Sequence, residues 1–410
     1  MRRVVVTGLG TVNPLANSVS GFWNGVLDGK SGISAIAQFD TSAFKVHFGG
    51  EVRNLELEPW LDSKNIRRLD QYAQFALAAA KEAMDDSGLD MSKEDPFRCG
   101  VIVGSGVGGL HEFEDQHRKY IEKGPDRIGP FVIPKMIPNS GSGNVSIQFG
   151  FKGPNTAVST ACASGAHSLA DAMRLIRDNQ ADVMLAGGSE SAITPMGLGG
   201  FIAAKALSSR NDDPKTASRP FDADRDGFVL SEGAGVLVLE EYEHAKRRGA
   251  KIYAEILGAG CTADAFHITA PDPSGAGACR AMLGAISDAK TNLDEIGYIN
   301  AHGTSTNAGD EAETKAIKAV FGEQAFKIPV SSTKSMIGHT LGASGGIEAI
   351  VCCLSLSEGK LHPTINQFTK DPACDLDYIP NFARDAKVKR VLSNSFGFGG
   401  HNACLVFGSV

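Results

Sequence analysis

Short, continuous apolar runs that alternate with helix-periodic segments constrain this chain most. Arg3–Thr7, Gly100–Val103, Thr156–Thr160, Asp182–Ala186 and Gly235–Leu239 form one series. Ile252–Leu257, Ile296–Ala301, Ile328–Ser331, Val388–Leu392 and Ala403–Phe407 form a second. Each run is too short for a typical helix and rich in β-branched residues, and none alternates with polar positions. Strands of this kind are buried on both faces, so the sheet they build must be covered by helices on both sides. The 48 glycines punctuate these runs and mark many strand-to-helix turns.

The order of elements repeats. The helical pattern FALAAAKEAM (75–84) leads to the strand GVIVG, and CRAMLGAISDA (279–289) leads to GYINA. TAVSTACASGAHSLADAMRLI and IPVSSTKSMIGHTLGASGGIEAIVCCL both read as a strand, a hydroxyl-rich small-residue turn and a helix. The pattern predicts an α/β chain of two related halves, 1–250 and 251–410, and 410 residues exceed the size of one ordinary core. Gly197–Asp226 breaks the regularity and reads as a long functional loop inserted in the first half. Its Asp222–Gly227 stretch is not a calcium loop, because position 233 is Gly where a glutamate is required.

A net charge of −7 argues against nucleic acid as a partner. No apolar run approaches the ~20 residues of a membrane span, and the run after Arg2 and Arg3 is too short for a signal peptide. The expected site of action is the cytoplasm. The eight cysteines contain no CxxC pair, so they read as reduced thiols rather than a metal ribbon or a disulfide framework. Lys64, Arg67 and Arg68 form a local basic cluster, either a solvated helix face or a docking patch for an acidic partner.

Three segments carry candidate chemistry. In Ser159–Gly165 a strand ends and a helix begins among small residues, which places Cys162 at a helix N-terminus. Such a position lowers a thiol pKa from ~8.5 toward ~7 and supplies N–H donors for an oxyanion. The bland alternative is a small buried apolar cysteine. In Asn300–Thr306 a strand ends at His302, either at the mouth of the sheet where ligands bind or as a helix cap. Ser331–His339 occupies the place in the second half that Cys162 holds in the first, and Lys334 there is within reach of Glu348 on the following helix. No phosphate-binding GxxxxGK[ST] pattern is present.

STACASGAH, NAHGTST, SSTKSMIGHTLGASG and NSFGFGGHN, in this order, resemble the β-ketoacyl-[acyl-carrier-protein] synthases, nearest the second type of dissociated fatty-acid synthesis. The resemblance spans nearly the whole chain. It implies the thiolase fold, with two βαβαβαββ halves in a five-layer α-β-α-β-α arrangement, and a homodimer. It implies that Cys162 accepts the acyl chain, that His302 and His339 are the catalytic histidines, and that Lys334, paired with Glu348, belongs to their network. Phe398 matches a gating residue whose N–H joins that of Cys162 in an oxyanion hole. Thr304 and Thr306 match positions near the malonyl group, Val107 and Phe201 match positions lining the acyl pocket and its entrance, and Thr269 and Gly399 match further substrate-binding positions.

The partner implied is acyl carrier protein in its acyl and malonyl forms. It would dock on Lys64, Arg67, Arg68, Arg127 and Lys205. No cofactor is implied for the reaction, a decarboxylative condensation that lengthens an acyl chain by two carbons. A structural monovalent cation is implied at Asn300, Ala301, Glu348, Ser393 and Asn394. A synthase of the first type or a polyketide ketosynthase would share this chemistry, and the start at Met1 and finish at Val410 fit a free-standing protein. Thiolases use a second cysteine late in the chain, but Cys404 sits in an apolar strand run. Initiating synthases use Cys-His-Asn, and a non-catalytic chain-length partner lacks the nucleophile.

Overall fold

The computed structural model describes residues 2–58 and 60–410. The apolar runs build one ten-stranded sheet system. Its strands are β1 (Val4–Val12), β2 (Cys99–Gly104), β3 (Asn155–Thr156), β4 (Val183–Glu190) and β5 (Gly233–Glu241), then β6 (Ala254–Ala263), β7 (Ile296–Asn300), β8 (Val330–Ser331), β9 (Arg390–Gly397) and β10 (His401–Gly408). Their spatial order is β8-β7-β9-β10-β6-β1-β5-β4-β2-β3. Read outward from the centre, the two sides have the same order and the same directions. β2 is parallel to β3 and β4, and β5 is antiparallel to β4 and β1. β7 is likewise parallel to β8 and β9, and β10 antiparallel to β9 and β6. Within the sheet the two sides pair through Val5 with Glu255 and Val6 with Ala254.

Helices follow the same duplication. α1 (Gln71–Ser87), α2 (Ser140–Phe149) and α3 (Ser164–Arg177) serve the first side, and α4 (Ala276–Asp288), α5 (Asn307–Phe321) and α6 (Ser344–Glu358) the second. α3 and α6 lie back to back between the two sheets, with Leu169, Met173, Ile347 and Ile350 in one shared core. They cross at backbone contact. A Cβ on Gly165 would meet the Gly346 nitrogen at 2.8 Å, and one on Gly345 would meet the Ala166 nitrogen at 2.4 Å. Glycine is required there by the closeness of approach. The outer layers have their own cores, with Tyr72, Phe75 and Leu77 on one side and Met282, Ile317 and Phe321 on the other. This is the five-layer thiolase arrangement.

Three details differ from the sequence reading. The strand expected over 156–160 pairs in the sheet only at Asn155–Thr156, although Val158 still accepts the Ser105 N–H at 3.1 Å. Two short antiparallel pairs, Ser34–Ala35 with Phe48–Gly49 and Lys360–Leu361 with Arg384–Asp385, lie outside the expected strands. Leu341–Glu358 passes the length and composition test for a membrane span, but 83% of it is buried, so its apolarity serves the central layer. The 197–226 segment is anchored by Arg225, which is buried against Asp310 and Asp371. Asp222 is fully buried and accepts the N–H groups of Phe368, Thr369 and Asp224, so its oxygens are satisfied by backbone.

Candidate active site

Thr160 leads into a single tight turn, Ala161–Ala163, from which α3 continues. Ala161 takes φ +50°, a left-handed value that costs a residue with a Cβ about 1–2 kcal/mol. That bend aims Cys162 away from the central layer and into a cavity of about 430 Å³. The Phe398 N–H and the N–H of Cys162 itself both face the sulfur. Phe398 leads the β9–β10 turn, where Gly399 and Gly400 take φ +83° and +75° and Gly399 donates to the Ile268 carbonyl at 2.7 Å. A Cβ on Gly397 would sit 3.1 Å from the Cys162 nitrogen, so only glycine lets the two donors converge.

The thiolate expected from the helix terminus is not what the site produces. Cys162 is 7% exposed, and burial pushes its thiol up to about 11. The charge of Lys334 and the Phe398 N–H oppose this, while the carboxylate of Glu190 adds to it. Desolvation of the charged form therefore outweighs the local donors, and the resting sulfur keeps its proton at neutral pH.

Two imidazoles share the cavity with the thiol. His302 and His339 are T-shaped at 5.4 Å between ring centroids. Burial and the nearby Lys334 charge hold both well below the usual histidine range, so both are neutral. Their tautomers follow from their partners. Lys334 Nζ can only donate, so His302 Nδ1, 3.4 Å away, accepts and the ring hydrogen sits on Nε2. The Leu341 N–H donates to His339 Nδ1 at 3.3 Å, which fixes the same tautomer there. Each ring therefore has an Nε2–H to offer.

Lys334 is 1% exposed and paired with Glu348, also 1% exposed. Burial raises the Glu348 carboxyl and Lys334 opposes the rise. The backbone of His302 is held from below, because Glu313 accepts the His302 and Gly303 N–H groups at 2.9 and 2.8 Å. Thr304 and Thr306 exchange a hydroxyl bond of 2.9 Å beside the histidines, and Thr306 also caps α5. Thr269 lines the same cavity. Phe201 sits edge-on to Phe228 and 6.4 Å from Phe398, and Val107 lines the cavity while remaining 41% exposed.

Lys64, Arg67, Arg68, Arg127 and Lys205 are all exposed, and among the described residues none forms an ion pair. Lys205 also lines the cavity, which links that basic side chain to the opening. Arg68 lies over the Phe131 ring at 5.1 Å.

The residues matched to a monovalent cation divide. Asn300 Oδ1, Glu348 Oε2 and Ser393 Oγ are buried without a hydrogen-bond partner, three hard oxygens of the kind such an ion takes. Asn394 differs, since its amide donates to Glu313 at 3.0 Å and its oxygen accepts the Cys404 thiol at 3.2 Å. The orphaned oxygens of Asn300, Glu348 and Ser393 are of the chemical kind that would hold a cation.

The element in the second half that matches Cys162 is Gly342, three residues beyond His339. Thr340-Leu341-Gly342-Ala343-Ser344-Gly345 repeats the geometry of Thr160–Gly165, with Leu341 at φ +48° in the turn Leu341–Ala343. Sequence reasoning also missed Glu190 and Glu313. Glu190 stands among small residues and Glu313 within the charged stretch Asp310–Lys315, yet both are buried, and buried charges are rare unless they hold something in place.

Residues 1–245 match the β-ketoacyl synthase N-terminal domain and residues 253–368 the β-ketoacyl synthase C-terminal domain. The 3-oxoacyl-[acyl-carrier-protein] synthase 2 of Staphylococcus aureus (strain COL) is 50% identical over 406 residues, 99% of this chain and 98% of that protein. The protein of the same name from Synechocystis sp. is 50% identical over 406 residues, with the same coverage. A β-ketoacyl synthase from Burkholderia phymatum superposes with a TM-score of 0.93 at 37% identity, covering 100% of both chains. A ketosynthase solved in complex with its type II polyketide acyl-carrier protein superposes with a TM-score of 0.94 at 40% identity, again over 100% of both. The chain belongs to the β-ketoacyl synthase family.

Proposed function

We propose that the chain is a 3-oxoacyl-[acyl-carrier-protein] synthase of the second type, which lengthens fatty acyl groups by decarboxylative condensation. One observation carries this reading. A single cavity holds a thiol faced by two backbone N–H groups and two neutral imidazoles whose Nδ1 atoms are already engaged.

In the first step Cys162 attacks the thioester carbonyl of an acyl carrier. Charge develops on the carbonyl oxygen, and the Cys162 and Phe398 N–H groups receive it. One such donor is typically worth about 3–4 kcal/mol. The carbon–sulfur bond to the carrier breaks, and the proton of Cys162 goes with the departing carrier thiolate. Because the resting thiol is protonated, no net proton has to leave the site.

In the second step a malonyl thioester places its carbonyl oxygen between His302 and His339. Their Nε2–H groups stabilise the enolate left when the carboxylate departs as carbon dioxide. Neutral rings suit this task, since they donate without surrendering a proton. The enolate carbon attacks the acyl–Cys162 carbonyl and the carbon–sulfur bond breaks, giving a 3-oxoacyl thioester two carbons longer and a Cys162 thiolate, which takes one proton from solvent to return to the resting thiol. Lys334 holds the His302 tautomer, and Thr304 and Thr306 lie where they would bond the malonyl group.

One structural neighbour is a ketosynthase in complex with its type II polyketide acyl-carrier protein. For this chain we propose the same class of partner, an acidic acyl carrier docking on Lys64, Arg67, Arg68, Arg127 and Lys205. A homodimer is supported by the sheet edge, where both residues of β3 are exposed and α2 presents Ile147 at 80% exposure. Action in the cytoplasm, on carrier-bound substrates, accords with this reading.

Cys162→Ala separates the two steps. Condensation should fall by at least ~10³-fold, while carbon dioxide release from malonyl carrier continues. His302→Ala should lower that release by about 10²-fold. Full condensation by Cys162→Ala, followed by radiolabelled malonyl incorporation, would sink the reading.

A further inference from the structure

Glu190 ends β4 with no exposed surface and no cationic partner among the described residues. An isolated buried carboxylate is costly, so its contacts must supply what water would. They come from two separate segments. Ser105 Oγ donates to it at 2.7 Å, the Gly106 N–H at 2.7 Å and the Val107 N–H at 3.1 Å. The Gly342 N–H donates at 3.1 Å from the turn that opens α6. Both oxygens take two donors each, which uses the roughly four acceptor sites of a carboxylate. With none left over, Glu190 has no free lone pair to receive the Cys162 proton, and a role as general base is excluded.

Position is what the carboxylate controls. Ser105–Val107 forms the turn after β2, and Gly106 and Val107 line the cavity together with Cys162 and Glu190. A Cβ on Gly106 would lie 2.8 Å from Glu190 Oε2, and one on Gly342 would also lie 2.8 Å from it, so both backbones close tightly on the same oxygen. Ser105 Oγ in turn accepts the Gly108 N–H at 3.0 Å, which carries the restraint through the rest of the turn. Among the described residues no other side chain bonds the Val107 backbone.

We propose that Glu190 is a specificity-positioning residue: by tying the Ser105–Val107 turn to the α6 elbow through one buried carboxylate, it fixes where the Val107 wall stands and hence which acyl lengths the cavity accepts. Burial raises the Glu190 carboxyl, and its charge disfavours a Cys162 thiolate, so it also bears on the nucleophile. The inference rests on the condensing reading above.

The test uses full-length Glu190→Gln and Glu190→Asp with saturated acyl thioesters of increasing length. Gln keeps the shape but turns an N–H₂ toward backbone donors, and Asp keeps the charge but shortens the reach. The ratio of kcat/KM between the longest and shortest accepted primers should change at least tenfold in both variants. In Glu190→Gln, Cys162 should also be alkylated several-fold faster by iodoacetamide at neutral pH. In a Val107→Gly background the same Glu190 substitutions should leave the length ratio nearly unaltered, because the wall they move is gone. A uniform loss across all lengths, in variants whose circular dichroism and melting match the parent, would overturn the proposal. So would an unchanged length profile. If the parent enzyme released no carbon dioxide from malonyl carrier, the condensing reading itself would fail, an outcome distinct from these.

Discussion

The turns that open α3 and α6 are built alike and loaded differently. Each follows a threonine, bends through one non-glycine residue at φ +50° or +48°, makes one tight turn and enters a helix at Ser-Gly. In the first, the residue after the bend is Cys162, and its N–H faces the sulfur at the cavity wall together with that of Phe398. In the second it is Gly342, whose N–H is already spent on Glu190. The fold therefore supplies two anion-ready elbows. One is left open for a transient oxyanion beside a thiol, and the other is closed by a permanent carboxylate. The difference teaches that catalysis here depends less on the elbow itself than on leaving its donors unpaired.

The state of the thiol tests this difference most strongly. If burial governs Cys162, alkylation should accelerate about tenfold for each pH unit, and so about a hundredfold between pH 7 and pH 9. The sign follows from a thiol raised to about 11, whose thiolate fraction rises with pH throughout that range. A plateau near pH 7 would mean that the open elbow ionises its own thiol, and the comparison would need redrawing.

Gly342→Ala probes the closed elbow. The new Cβ would stand 2.5 Å from the Gly106 nitrogen and 2.8 Å from Glu190 Oε2, both held in place. Stability should fall by about 2–3 kcal/mol, read from urea midpoints at constant m value. A neutral outcome would show that the two segments are free to part.

The smallest effect belongs to the bends. Ala161→Gly removes left-handed strain and costs some chain entropy, for a net gain of roughly 0.5 kcal/mol. Leu341→Gly should lose stability instead, because Leu341 packs beside Cys162, Ile193 and Phe228. Thermal melts of the two variants distinguish a bend that only turns the chain from one that also fills a core.

Much of this was legible in the chain because the local signals agree. Each of the ten expected runs overlaps a strand of the sheet, although Thr156–Thr160 does so only at Thr156, since strands buried on both faces must be apolar throughout, and the same pattern places His302 just past a strand end. The three-residue offset between His339 and Gly342 was not legible, because T-L-G-A-S-G matches T-A-C-A-S-G only once the shared bend is seen. The thiol state was misread for a similar reason. A helix terminus is a local feature, whereas the burial that overrides it comes from Phe398, Phe201 and Leu341, far away in sequence. Glu190 stayed hidden because its donors lie 83 to 152 residues distant.

His339 belongs to the second half, yet its N–H donates to the Val229 carbonyl at 2.7 Å and its carbonyl accepts the Ser231 N–H at 3.0 Å. The first half thus seats a histidine of the second. A chain still emerging from the ribosome, or one opened between its halves, has its thiol on one piece and an unseated imidazole on the other. The second imidazole thus takes its seat beside the thiol through backbone bonds that the first half supplies.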